Sequence, residues 1–268
     1  ADGDTKVMVE ESSDEDKIRF DTGGSQRMVI DDSGNLGIGT TTVTNNTLGT
    51  ATYFGNSTSS IVGDNTSGNS RFWLSNNWYY NSGDKYIITD EASMYTQQNG
   101  EHIFLKASSG SADSAISFST ALKIDNSGRV TKPLQPAFHV DYDGNATVAD
   151  NNVLTYPNVY LNVGNHYSTS TGKFTAPVAG NYLIYWDSIG GAVADTFRFK
   201  IQKNESEYND GTQLRIQTAA NNVYGNGTKV EIIPLAANDN LRIFFDSDNG
   251  QSAYADQNYL TFGGYLLG

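Results

Sequence analysis

Along most of the chain hydrophobic and polar side chains alternate one for one, in short runs broken by Gly, Asn, Asp and Ser. In "FRFKIQK", Phe197, Phe199 and Ile201 share one face while Arg198, Lys200 and Gln202 share the other. Period two with one wet side predicts a half-buried strand. "LRIFFDSD" repeats it, with Leu241, Ile243 and Phe245 as the inner row. The intervening "PLAANDN" reads as a loop, because Asn238, Asp239 and Asn240 tolerate turn geometry. "STGKFTAPVAGNYLIYW" (170–186) predicts two strands joined by a tight link at residues 177–180. Helical periodicity is nearly absent, so the expected fold class is all-β.

The N-terminal half contains an internal repeat. "IRFDTGGSQRMVIDDSGNL" (18–36) aligns with "ISFSTALKIDNSGRV" (116–130), pairing Ile18 with Ile116, Phe20 with Phe118 and Ile30 with Ile124. The first copy is longer by a loop around "DTGGSQ", and each copy ends in an Asp-x-Ser-Gly turn whose Gly can take positive φ. A unit this small cannot bury its own apolar face and must stack on neighbours or on other chains. Residues 41–50 are Thr/Asn-rich and nearly featureless, and "TKPLQPA" (131–137) holds two prolines that stop strand pairing and stiffen a connector. These joints divide the chain into a first β-module (1–40), a second module with an aromatic-rich insert (41–130), the connector (131–137) and a compact head (138–268).

Composition narrows the partners. Lys+Arg 17 against Asp+Glu 30 gives a net charge of −13 without a basic cluster, which argues against nucleic acid, whose phosphates are met by Lys and Arg. Zero cysteines exclude a disulfide framework and thiolate zinc sites. No run approaches the ~20 apolar residues of a membrane-spanning helix, so membrane insertion is not expected. The chain begins at Ala1 rather than Met, and is expected to be a piece of something longer.

Two resemblances follow from specific residues. "NVYLNVGNHYSTSTGKFTAPVAGNYLIYW" (158–186) resembles the signature of the C1q/TNF-like jelly-roll family through Asn162, Gly164, Tyr167, Gly172, Phe174, Pro177, Gly180 and Tyr182. "PAFHV" (136–140) and the closing "YLTFGGYLLG" (259–268) agree in order, with Gly263 where the family usually has Ser. This resemblance implies a β-sandwich head, a homotrimer, and function by binding. "RMVIDDSGNLGIGTTT" and the 72–128 block resemble modules of tail fibres and other structural proteins of bacteriophages, especially marine ones. That resemblance implies a virion protein, extracellular, attached to other tail proteins on its N-terminal side.

The expectation is therefore the distal part of a phage tail fibre, a trimeric adhesin that binds a host surface receptor, glycan or outer-membrane protein, without catalysis. Two alternatives stay open: a structural trimerisation cap or other virion component, and a polysaccharide-degrading tailspike. Receptor contacts are expected in the head loops 187–196, 218–227 and 246–258, rich in Gly, Asn, Ser and Tyr, at Asp195, Asn221, Asn222, Tyr224, Asn249 and Tyr254. No cofactor is required. Calcium is the candidate metal, because "DSDNGQSAYADQN" gathers Asp246, Asp248 and Asp256 in one expected loop and hard cations take oxygen ligands. Carboxylates for a glycosidase would be Asp84, Asp90 and Glu91, or Asp246 and Asp248. Trp73, Trp78, Tyr79, Tyr80 and Tyr86 suit a glycan platform, but are expected to fill a core or an inter-chain seam.

Overall fold

The computed structural model describes residues 3–9, 12–43, 46–64, 70–142, 146–219, 224–255 and 259–268, leaving aside the side chains of Ala146 and Asp210. The chain forms two compact units that meet in sequence between Pro133 and Leu134. Among the described residues the regular structure is β, apart from one 3-10 turn at Asp210–Thr212.

The N-terminal unit is built on one sheet of eleven strands laid down in chain order, which takes in both expected modules. Neighbours are antiparallel except Leu36–Ile38 beside Gly49–Phe54. The "DTGGSQ" insertion is a hairpin: Gly23 and Gly24, at φ 58° and 69°, form a two-residue turn between Ile18–Thr22 and Ser25–Ile30. Both central residues at positive φ match the right-handed twist of the flanking strands. The two Asp-x-Ser-Gly turns superpose in their bonding. The carboxylate of Asp31 accepts from the backbone N–H of Ser33 and Asn35, and that of Asp125 from Ser127 and Arg129. The repeat diverges upstream, where Ile18 is exposed on a strand while Ile116 is buried outside one. Without the hairpin insertion the second copy runs into a single strand, Ser119–Ile124.

One face of this sheet is covered. Tyr53, Val62, Trp73 and Met94 point into a core completed by Trp78, Tyr86 and Ile116 from the connecting segments. Val43 and Leu48 of the Thr/Asn-rich stretch pack against the same core. Trp73, Trp78, Tyr79 and Tyr86 are buried within the single chain, so these aromatics fill a core and present no sugar platform.

The C-terminal unit is a sandwich. One sheet orders its strands as Asn158–Val163, Ala137–Asp141, Thr261–Leu266, Gly180–Ile189 and Asn226–Leu235. The other centres on Asn240–Ser247 and Asp195–Lys203. Their facing rows form one cluster in which Phe174, Tyr182, Ile184, Trp186, Phe197, Phe199, Ile201, Leu241, Ile243 and Phe245 are fully buried. The expected loop at 234–240 is shorter than read: Pro234 and Leu235 finish the Asn226–Leu235 strand. Pro is tolerated there because this strand is the sheet's edge. The turn proper is closed by Asp239, whose carboxylate accepts from Ala236 N–H and pairs with Lys203 at 2.8 Å. Hydrogen bonds from Lys203 and Asn204 hold its pKa down at about 2.

Gly264 sits where the two strands that flank it in its own sheet crowd together. A Cβ there would lie 2.6 Å from the Leu183 carbonyl oxygen and 2.5 Å from Ile184 Cδ1. Gly264→Ala is expected to cost about 1–3 kcal/mol of stability by overpacking, read as a lower urea midpoint with unchanged slope.

Candidate functional site

Strand register fixes which ends of the head's strands meet. Ala137 lies opposite Tyr265 and Gly180 opposite Leu235, so the chain enters and leaves the sandwich at one end. At the other end Ile189 lies opposite Asn226, and Asp187 opposite Thr261. The strand Gly180–Ile189 has 10 residues and separates these ends by about 30 Å.

At the far end Ile189, Tyr224, Asn226, Tyr254 and Tyr259 line an open pocket of ≈ 460 Å³. Three chain segments supply it. Gly190 N–H donates to the Gly225 carbonyl at 2.8 Å, which brings Tyr224 and Asn226 beside the end of the Ile189 strand. Tyr254 comes from Ala253–Ala255, paired to Ala146–Val148, and Tyr259 from just before Thr261–Leu266. The rings of Tyr224 and Tyr254 lie 5.5 Å apart and are tilted by 56°. Tyr224 is 50% exposed and Tyr259 40%, so both are open to solvent. Aromatic bodies with polar tips, beside one amide, suit a ligand that is apolar on its faces and hydroxylated at its edges.

Sequence reasoning thus named two of the three tyrosines, took in Ile189 and Asn226 within the loops read at 187–196 and 218–227, and missed Tyr259. Only register brings these residues together, since 35 or more positions separate the Ile189 strand from the others. Asn221, Asn222 and Asp256 lie outside the described residues. Asp195 is buried, and its carboxylate accepts from Thr196 N–H at 2.7 Å and from Asn249 Nδ2 at 3.0 Å. The pair Asp195–Asn249 ties the start of the Asp195–Lys203 strand to a turn. The stretches that join the strands here are also shorter than the sequence implied, since 187–189 and 195–196 are strand.

The acidic candidates are held by cations of the protein. Asp246 lies on the strand Asn240–Ser247 rather than in a loop, 2.8 Å from Lys200 Nζ and 3.4 Å from Arg198 Nε. Arg198 also pairs with Asp248. The hydrogen bond to Asp246 is the main reason that the Lys200 pKa is raised. A calcium ion at Asp246 and Asp248 would have to displace these partners. In the N-terminal unit Asp84 accepts from the Trp78 indole at 2.8 Å, a bond that fixes a core side chain.

The outward face of the strand-order-five sheet is apolar. One row across it reads Ile232, Leu183, Tyr265, Ala137 and Val163, and the next Val230, Tyr185, Gly263, His139 and Leu161. Ile232 is 60% exposed and Val230 54%. Gly263 makes room for Tyr185, whose ring a Cβ would meet at 2.3 Å. The Tyr185 hydroxyl reaches His139 Nδ1 at 2.7 Å, and Tyr160 packs 5.4 Å from the His139 ring. An aromatic laid over a cross-strand glycine repairs the packing that glycine lacks.

The model of the C1q domain family matches residues 137–267. These residues form a C1q domain. Among solved structures, the globular domain of zebrafish complement 1qA protein is similar over 50% of this chain and 98% of its own, at 18% identity and a TM-score of 0.40. Murine APRIL, crystallised at pH 5.0, is similar over 50% of this chain and 99% of its own, at 13% identity and a TM-score of 0.39. No curated protein matches the chain. The Gly263 departure now has a physical account, because the C1q domain here places Tyr185 in the space that a larger residue at 263 would need.

Proposed function

We propose that the chain is the distal part of a bacteriophage tail fibre, a homotrimeric adhesin whose C1q domain attaches the virion to a glycan on the host cell surface. The observation that carries this reading is the tyrosine pocket at the end of the domain opposite the one where the chain enters and leaves it. A domain held at its base presents that end outward. Support for the trimer comes from the apolar outer face around Val230, Ile232 and Tyr265, which needs a cover. Three pockets on one tip multiply a weak single-site affinity when receptors are spaced to match. The N-terminal unit, resembling tail-fibre modules, joins the head to other tail proteins. Binding involves no covalent step.

The reading is tested with the full chain on immobilised bacterial lipopolysaccharides and capsular polysaccharides. Tyr224→Ala with Tyr254→Ala is expected to lower binding to the recognised polysaccharide by about tenfold or more, the loss of a central aromatic anchor, with an unchanged melting temperature. Binding at native strength by the double variant would refute the pocket as the contact. Release of reducing ends from the polysaccharide would turn the assignment toward a depolymerase.

A further inference from the structure

The eleven-stranded sheet of the N-terminal unit has a second face, which no described segment of that unit covers. A single rung crosses six of its strands through Thr52, Ile61, Leu74, Tyr95, Phe104 and Leu122, each directly opposite the next. The same rung continues through Leu36 and Ile30 to Ile18 and Val9. Flanking rungs add Phe72 and Ile124 on one side and Phe54 on the other. Ile61 is 36% exposed, Phe54 40%, Leu74 41% and Phe104 42%, and with Tyr95 they line a groove of ≈ 520 Å³. An apolar strip of this length along a sheet is more than scattered surface hydrophobics.

We infer that this face is a seam between copies of the chain, built into the N-terminal unit separately from the head. Charge selects the occupant. The chain carries 30 carboxylates against 17 Lys and Arg, yet the remaining members of the three rungs are Thr, Ser, Gly, Asn, Gln, His102 and Lys106. Copies of an acidic protein repel wherever their carboxylates meet, so contact between them requires a carboxylate-free strip. A basic partner would instead be met by Asp and Glu. Some of the polar tips on the strip bond to one another within the copy. The Tyr95 hydroxyl lies 2.6 Å from His102 Nδ1 and accepts from Gln97 Nε2 at 2.9 Å. These two bonds meet part of the trio's hydrogen-bonding needs from within the copy.

The inference shares with the proposed function only the premise that the chain associates with itself, and the full-length protein tests the two separately. The chain has no cysteine, so a single thiol can report on the strip. Leu74→Cys is compared with Ser33→Cys, in an exposed turn, for the rate of maleimide labelling of the native protein, beside the mass from sedimentation equilibrium. Expected is an oligomeric mass with the thiol at 74 labelled at least about tenfold more slowly than that at 33, and protection lost when Phe104→Asp is added. An oligomer whose thiol at 74 labels as fast as that at 33 overturns this seam and leaves the head trimer standing. A monomeric mass at every concentration overturns both.

Discussion

Phe174→Ala is expected to unfold the C1q domain rather than merely weaken its binding. The side chain is fully buried, with its ring 4.4 Å from Phe138 and 5.6 Å from Tyr182, and it bridges the two sheets. Truncating a buried Phe removes its transfer free energy and leaves a cavity, together about 3–5 kcal/mol. A domain of this size has roughly 5–15 kcal/mol in total, so the variant keeps little or none of its stability. Calorimetry on the full chain should show the transition of the C1q domain falling by about 10–20 °C, or lost at room temperature. A shift of under about 3 °C with binding abolished would instead place Phe174 in a contact surface, against its burial.

Val230→Asp together with Ile232→Asp carries the second large effect. Both side chains stand on the apolar outer face of the C1q domain, in adjacent rows, and neither is needed inside it. In a trimer closed over that face each new carboxylate would lose water and meet its own copies. The effective penalty is several kcal/mol per ion, enough to open the seam. In a chain that also carries Leu74→Asp and Phe104→Asp, the sedimenting mass is expected to fall to that of one chain, with the circular dichroism of the native fold. Retention of a trimer by this variant would show that other surfaces hold the copies together.

The strands were largely legible in the sequence because period two leaves a mark wherever one face is wet. Phe197, Phe199 and Ile201 were readable as an inner row, and they are fully buried. The alternation of Tyr182, Ile184 and Trp186 shows that their face is covered and not by what. The repeat was legible where it rests on local bonding, as in the Asp31 and Asp125 turns, and misled where the hairpin insertion changed the strand upstream. The link at 234–240 was read too long because Pro and Asn mark turns without marking edges, and Pro234 stands on an edge strand.

The candidate site was half legible. Tyr224 and Tyr254 sit in stretches whose composition advertises binding, whereas Tyr259 adjoins a core strand and Ile189 ends one. Asp195 carried the same advertisement and turned out to be a buried tie to Asn249. Asp246 and Asp248 read as metal ligands because spacing in one segment says nothing of Arg198 and Lys200 on the neighbouring strand.

The sequence by itself determined the fold class, the strands with a wet face and the family signature of residues 137–267, because alternation and turn chemistry are local. Only the tertiary structure decided which tyrosines form a pocket, which carboxylates are already paired and which sheet faces stay bare. Those depend on strand register, which brings together residues far apart in sequence and leaves no local trace.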